Sequence, residues 1–130
     1  MKRYLLFLVA LVLTAKINAQ FTTTTVVTSL PYSVVFEIAP DGRYFVSCKG
    51  GAGSGAPANA QVRVYNPGGT MQAILWDFTD SVETYFERGV LGVTLDPDFT
   101  TNHYVYVSYN HASPAMIRVV RFTETAGVGA

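Results

Sequence analysis

Phe36-Glu-Ile-Ala-Pro-Asp-Gly-Arg-Tyr-Phe-Val-Ser47 decides the fold, because the chain carries a second version of it. Val93-Thr-Leu-Asp-Pro-Asp-Phe99 runs on through Asn102 to Tyr106-Val-Ser108. Each stretch is an apolar strand, a Pro-Asp turn, and an aromatic strand that ends in Val-Ser. Each is followed by a further strand bearing arginine, Gln61-Val-Arg-Val-Tyr65 in one case and Met116-Ile-Arg-Val-Val-Arg-Phe122 in the other. Pro40 and Pro97 lie 57 positions apart, and Arg63 and Arg118 lie 55 apart. A period somewhat above 50 residues with about four strands per unit is the signature of propeller blades.

Outward from the repeat the pattern stays that of strands. Short runs rich in Val, Ile, Tyr, Phe and Thr alternate with Pro, Gly, Asp and Asn, and helical periodicity is almost absent after residue 20. Strands are expected near 22–29, 33–38, 43–48, 61–66, 70–77, 90–95, 103–109 and 116–123. In Tyr104-Val-Tyr-Val-Ser-Tyr109 the aromatics fall mostly on one face and the valines on the other, which suits a strand buried on both sides. The expected architecture is an all-β propeller with blade 1 at about 33–77 and blade 2 at about 90–123. Gly127-Val-Gly-Ala130 reads as a loop-like tail without a capping strand, so the count is about one and three-quarter blades. Propellers close with roughly 4–8 blades, because closure protects the strand edges. The expectation is therefore a truncated chain.

The first nineteen residues are of another kind. Lys2 and Arg3 precede the apolar run Tyr4 to Leu13, and a small residue, Ala19, closes a short polar stretch. That order reads as a cleavable export signal spanning 1–19. The apolar run is about half the ~20 residues that a membrane span needs. Export to the periplasm or the extracellular space is expected, with no stable membrane anchor. Beyond residue 19 six basic and nine acidic side chains remain, a net charge of −3. Mild acidity offers no electrostatic case for nucleic acid. Cys48 is the only cysteine, which excludes an internal disulfide, and its strand setting reads as inert core.

The block Glu87-Arg-Gly-Val-Leu-Gly-Val-Thr-Leu-Asp-Pro-Asp-Phe99, with Asn102 and Tyr104-Val-Tyr-Val-Ser-Tyr109 behind it, resembles the glucose/sorbosone dehydrogenase family. Leu30-Pro31, Phe36 and Pro40-Asp41-Gly42-Arg43 resemble the family's first blade, and Arg118 to Phe122 resembles its Arg-Phe strand. The likeness covers about Leu30 to Phe122. It implies a six-bladed propeller that uses pyrroloquinoline quinone (PQQ) with Ca²⁺ to oxidise a sugar or polyol, a His acting as base. The base, the arginines and the metal-binding carbonyls belong to later family segments absent from this sequence. Hence no catalytic residue, no metal ligand and no bound cofactor is expected in the fragment. One family position transfers: a cofactor-side Gln corresponds to Glu87, with Arg88 beside it as a second cofactor-binding candidate. A carboxylate at that position departs from the soluble glucose dehydrogenases. The Glu-Arg form also resembles that of extracellular propellers without redox chemistry, so a carbohydrate- or protein-binding propeller is the alternative.

Other signals read as structural. Gly51-Ala-Gly-Ser-Gly-Ala56 satisfies a dinucleotide-binding spacing, but Pro57, Asn59 and a strand follow it instead of a helix. Asp41, Asp96 and Asp98 lack the spacing of a calcium loop and suit turn carboxylates that accept backbone N–H bonds. His103 and His111 match no family base motif and read as structural or exposed. Trp76 and Phe78 are expected to pack between blades.

Overall fold

The structure, a computed structural model, describes residues 20–51 and 59–130. The export signal at 1–19 and all but Gly51 of the glycine-rich segment lie outside the described residues. Two four-stranded antiparallel sheets follow one another along the chain. The first holds β1 (Ser33–Ile38), β2 (Tyr44–Cys48), β3 (Gln61–Tyr65) and β4 (Met71–Asp77) in sequential order. The second repeats the arrangement with β5 (Val90–Leu95), β6 (Tyr104–His111), β7 (Met116–Thr125) and β8 (Val128–Gly129).

The two Pro-Asp turns occupy the same place, each joining the first strand of its sheet to the second. In the first, Gly42 takes a φ of 84° and donates its N–H to the Ala39 carbonyl at 2.8 Å. Asp41 Oδ1 accepts the Arg43 N–H at 3.1 Å. The second turn is longer and is organised by one carboxylate. Asp96 Oδ1 accepts the Asp98 N–H at 3.0 Å and the Asn102 side-chain N–H at 2.8 Å, and Oδ2 accepts the Tyr106 hydroxyl at 2.9 Å. The Asn102 bond leads the effects that hold the Asp96 carboxyl below its ordinary range. The Asp-Pro-Asp, Asn and Tyr of the repeat are thus a turn-forming set. Asp98 takes no such part, because its side chain makes no cap bond.

Alternation buries one face of each sheet against the other. Phe45, Val62, Val64 and Leu75 from the first sheet meet Val90, Val93, Val105, Val107 and Phe122 from the second. Fully burying a Val or Phe side chain is worth about 1.5–3 kcal/mol, so this layer is the main driving force for the pair. Phe78, buried between the sheets, meets Tyr109 at 4.7 Å, whereas Trp76 meets Phe122 at 5.0 Å but stays 43% exposed. Cys48 is fully buried in a smaller cluster with Val46 and Tyr65, and burial pushes its thiol up.

Expectations about residues 22–29, helix and the tail need correction. Residues 22–29 form no strand: Val27 and Leu30 lie across the outer face of the first sheet, packed on the Val46–Cys48–Tyr65 cluster. The Thr-rich sequence has β propensity, but apolar packing rather than ladder pairing orders it here. Helix is not wholly absent, because Phe99–Asn102 forms a single turn, α1, that buries Phe99 and ends at His103 in the left-handed region (φ 55°). The tail is not a loop either. Ala126 and Gly127 both take positive φ (53° and 88°), the geometry of a two-residue hairpin turn, and β8 returns to pair with β7. Gly129 lies where an added Cβ would meet the Phe122 ring and the Leu75 carbonyl at 3.0–3.1 Å, a tight fit that a larger residue could take only if those neighbours gave way slightly. The second sheet therefore has four strands, as the first does.

Beyond the shared core both outer faces are apolar. Val34, Phe36 and Ile38 stand exposed on the first sheet and Ile117 and Val119 on the second. The outer side of β6, with Tyr104 and Tyr106, is half-buried rather than sealed.

Candidate functional site

Antiparallel order gives the sheet pair two rims. One collects the Pro-Asp turns and the β3–β4 and β7–β8 turns. The other collects the β2–β3 loop, the 78–89 linker between sheets and the β6–β7 loop. Both candidate residues, Glu87 and Arg88, fall on the second rim.

That linker is fastened along its length. The Glu83 N–H donates to the Asn110 carbonyl at 2.8 Å and the Ala112 N–H to the Ser81 carbonyl at 2.9 Å. The Val90 N–H reaches the Lys49 carbonyl at 3.1 Å, tying the linker's end to the first sheet. Gly89 donates its N–H to Asn110 Oδ1 at 3.1 Å and accepts the Asn110 N–H at 3.0 Å. Gly89 has a φ of 150°, and a Cβ there would collide with the Lys49 backbone, so glycine is required at this crossing. A loop fixed in this way on two sheets is suited to present side chains.

Glu87 and Arg88 are both exposed on this loop. They do not share an environment. Arg88 borders a cleft of about 190 Å³ together with Glu83, Asn110, His111, Met116 and Ile117, whereas Glu87 lies outside it. The Glu83 carboxylate accepts the Tyr85 N–H at 2.9 Å, and among the described residues Arg88 forms no ion pair. His111 is on the same rim and its Nδ1 lies 3.2 Å from the Pro114 carbonyl.

The opposite rim carries the strongest polar contact. Arg43 forks onto Glu124, Nη1 to Oε1 at 2.8 Å and Nη2 to Oε2 at 3.1 Å, and its Nε binds Asp41 Oδ2 at 2.7 Å. The Gly127 N–H also donates to Glu124. Burial alone would raise the Glu124 carboxyl; the Arg43 and Gly127 bonds outweigh it and hold the group below the usual glutamate range. The Arg43 guanidinium is raised by the Glu124 bond above all. His103 stands 3.8 Å from Glu124, at the opposite end of β6 from His111 and so at the other rim. This cluster joins the β1–β2 turn to β7, and it engages three of the five Arg43 N–H groups.

A PQQ-sized ligand asks for a pocket of roughly 300–1,000 Å³, more than this cleft provides. The described residues hold no group of three His, Cys, Asp or Glu side chains able to take a metal. What they offer is one wall: a cation, Arg88, at the rim, able to fork onto a carboxylate of an anionic cofactor.

Two successive four-stranded antiparallel sheets, stacked through a shared apolar layer and followed by equivalent turns, are two blades of a β-propeller. The sequence model for Glucose / Sorbosone dehydrogenase matches residues 29–127, and the chain belongs to that family. A PQQ-bound aldose sugar dehydrogenase from Streptomyces coelicolor is similar in structure, with a TM-score of 0.65 and 23% identity over 82% of this chain and 31% of that one. An oxidoreductase assigned as a glucose dehydrogenase from Thermus thermophilus gives a TM-score of 0.62 and 26% identity, over 80% of this chain and 28% of that one. The chain thus spans less than a third of the length of either structure. No curated protein matches it by sequence.

Proposed function

We propose that the complete protein is an exported PQQ-dependent sugar dehydrogenase, in which these two blades supply one wall of the site. The family match over residues 29–127 is the observation that carries this reading. The PQQ in the Streptomyces structure supports the choice of cofactor. The apolar outer faces, with Phe36 and Ile38 on one side and Ile117 and Val119 on the other, support further blades packed on both sides.

The quinone, when bound with Ca²⁺, would supply the electron sink that accepts a hydride from a sugar carbon. The residues of this chain would bind and orient. Arg88, at the cleft, would hold a carboxylate of the cofactor. Glu87 would accept a hydrogen bond from a sugar hydroxyl. The general base is assigned to neither His103 nor His111, which match no base motif and lie on opposite rims. Quinone titration of the complete protein tests this directly. Saturable binding that strengthens with Ca²⁺ is expected, while the 130-residue chain alone should reduce no dye with sugar, quinone and Ca²⁺ present. A complete protein that binds no quinone, or a fragment that turns over sugar, would refute the proposal.

A further inference from the structure

Next to Arg88 the loop does something that stability alone does not explain. Tyr85 and Phe86 are 58% and 72% exposed, and neither belongs to an apolar cluster. Their rings meet edge to face with centroids 4.2 Å apart. Phe86 also has a φ of 52°, in the left-handed region. For a bulky side chain that conformation is a true outlier, whereas glycine adopts it without strain. A phenylalanine in a glycine conformation is strained in its backbone. Strain of this kind persists where the surroundings enforce it, and it gathers at binding sites.

The surroundings here do enforce it. The Glu83 carboxylate holds the Tyr85 N–H at 2.9 Å, and the Arg88 N–H closes onto the Tyr85 carbonyl at 3.2 Å. The Lys49 ammonium donates to the Phe86 carbonyl. Groups of the loop itself and of Lys49, just beyond β2, thus fix the backbone and leave the two rings turned to solvent. An aromatic face is negative and apolar at once, suited to the weakly positive C–H face of a sugar ring, while the neighbouring Glu87 can bond one of its hydroxyls.

We infer that Tyr85 and Phe86 are a stacking platform for an aldose ring and set the ring preference for a sugar held on the 83–89 loop, outside the small cleft that Arg88 borders. This rests on the sugar dehydrogenase reading above, and deepens it by naming the residues that choose the substrate.

The test uses the complete protein carrying Phe86→Gly, Phe86→Ala or Phe86→Tyr, with D-glucose, D-xylose and the open-chain alditol D-glucitol. Phe86→Gly should raise KM for the two aldoses about tenfold while kcat stays within twofold, and Phe86→Tyr should restore KM. The alditol, with no ring face to stack, should respond little. Tm should hold or rise, because glycine relieves the left-handed backbone. A fall in Tm would mean that Phe86 is buried against another part of the protein, and would overturn the inference. An active enzyme with unchanged KM would overturn it too, leaving the dehydrogenase reading intact. If wild-type protein turns over no sugar, calorimetric titration with D-glucose separates the two: binding weakened by Phe86→Gly keeps the platform and sinks the redox reading, and no binding sinks both.

Discussion

Arg43→Ala is expected to destabilise the protein by about 3 kcal/mol, among the largest effects of any single polar substitution in these two blades. Removing one partner of a buried pair leaves the other charge without compensation, at a cost of roughly 3–5 kcal/mol when burial is complete. Glu124 meets that condition with only 2% of its side chain exposed; Arg43 retains some contact with solvent, which places the effect at the low end. Arg43→Lys keeps the charge but loses the two-pronged fork, so it should recover only part of the loss. Chemical denaturation of the complete protein reads both. The same carboxylate makes the fold acid-sensitive. Its folded-state pKa lies below the unfolded value, so its stabilising contribution is full above the ordinary glutamate pKa of about 4.3 and is lost as pH falls through the folded value. Asp41 and Asp77, also lowered, act in the same direction. Wild-type stability should therefore decline below about pH 4.5, and Arg43→Ala should flatten that decline. An unchanged acid profile in Arg43→Ala would show that the pair does not couple the blades.

Arg88→Ala is expected to lower kcat/KM of the complete enzyme by roughly 10- to 100-fold, about 1.5–3 kcal/mol for one charged hydrogen bond. Its place at the cleft, and the lack of an ion pair to it among the described residues, give it the larger expected effect of the two loop candidates. Glu87→Ala should cost less, and Glu87→Gln, which keeps the hydrogen-bonding shape, should lie close to wild type. Both side chains are solvent-exposed, so Tm should stay within about a degree for all three variants. Steady-state kinetics with a measured quinone affinity distinguishes the roles: Arg88→Ala should weaken quinone binding, whereas Glu87→Ala should raise the sugar KM. If neither variant alters kinetics or binding, the 83–89 loop is a connector and nothing more.

Much of the fold was legible in the residues because its determinants are local. Alternation in β6 and β7 and the paired Pro-Asp turns announce two equivalent hairpins before any contact is known. Even the Asp96–Asn102–Tyr106 set is confined to eleven consecutive positions, and it shows as a motif for that reason. What failed was decided at longer range. Residues 22–29 have strand composition, but an apolar sheet face was nearer to hand than a free edge. The β8 return packs Gly129 against Phe122, which no run of four residues reveals. The same holds at the rims. Nothing near Glu124 marks it as the partner of an arginine 81 positions earlier. Glu87 and Arg88 were visible through family likeness, but the division between them, one on the cleft and one outside it, came only from the path of the 78–89 linker. Phe86 left no trace in sequence, since its strain is a backbone angle.

Sugar-dependent dye reduction by the complete protein, reconstituted with PQQ and Ca²⁺, tests the central claim most directly. Turnover of an aldose that depends on added quinone and is abolished by a chelator is the predicted result. A correctly folded, quinone-saturated protein that reduces no dye with any aldose or polyol would contradict the assignment, and would leave a propeller that binds its ligand without oxidising it.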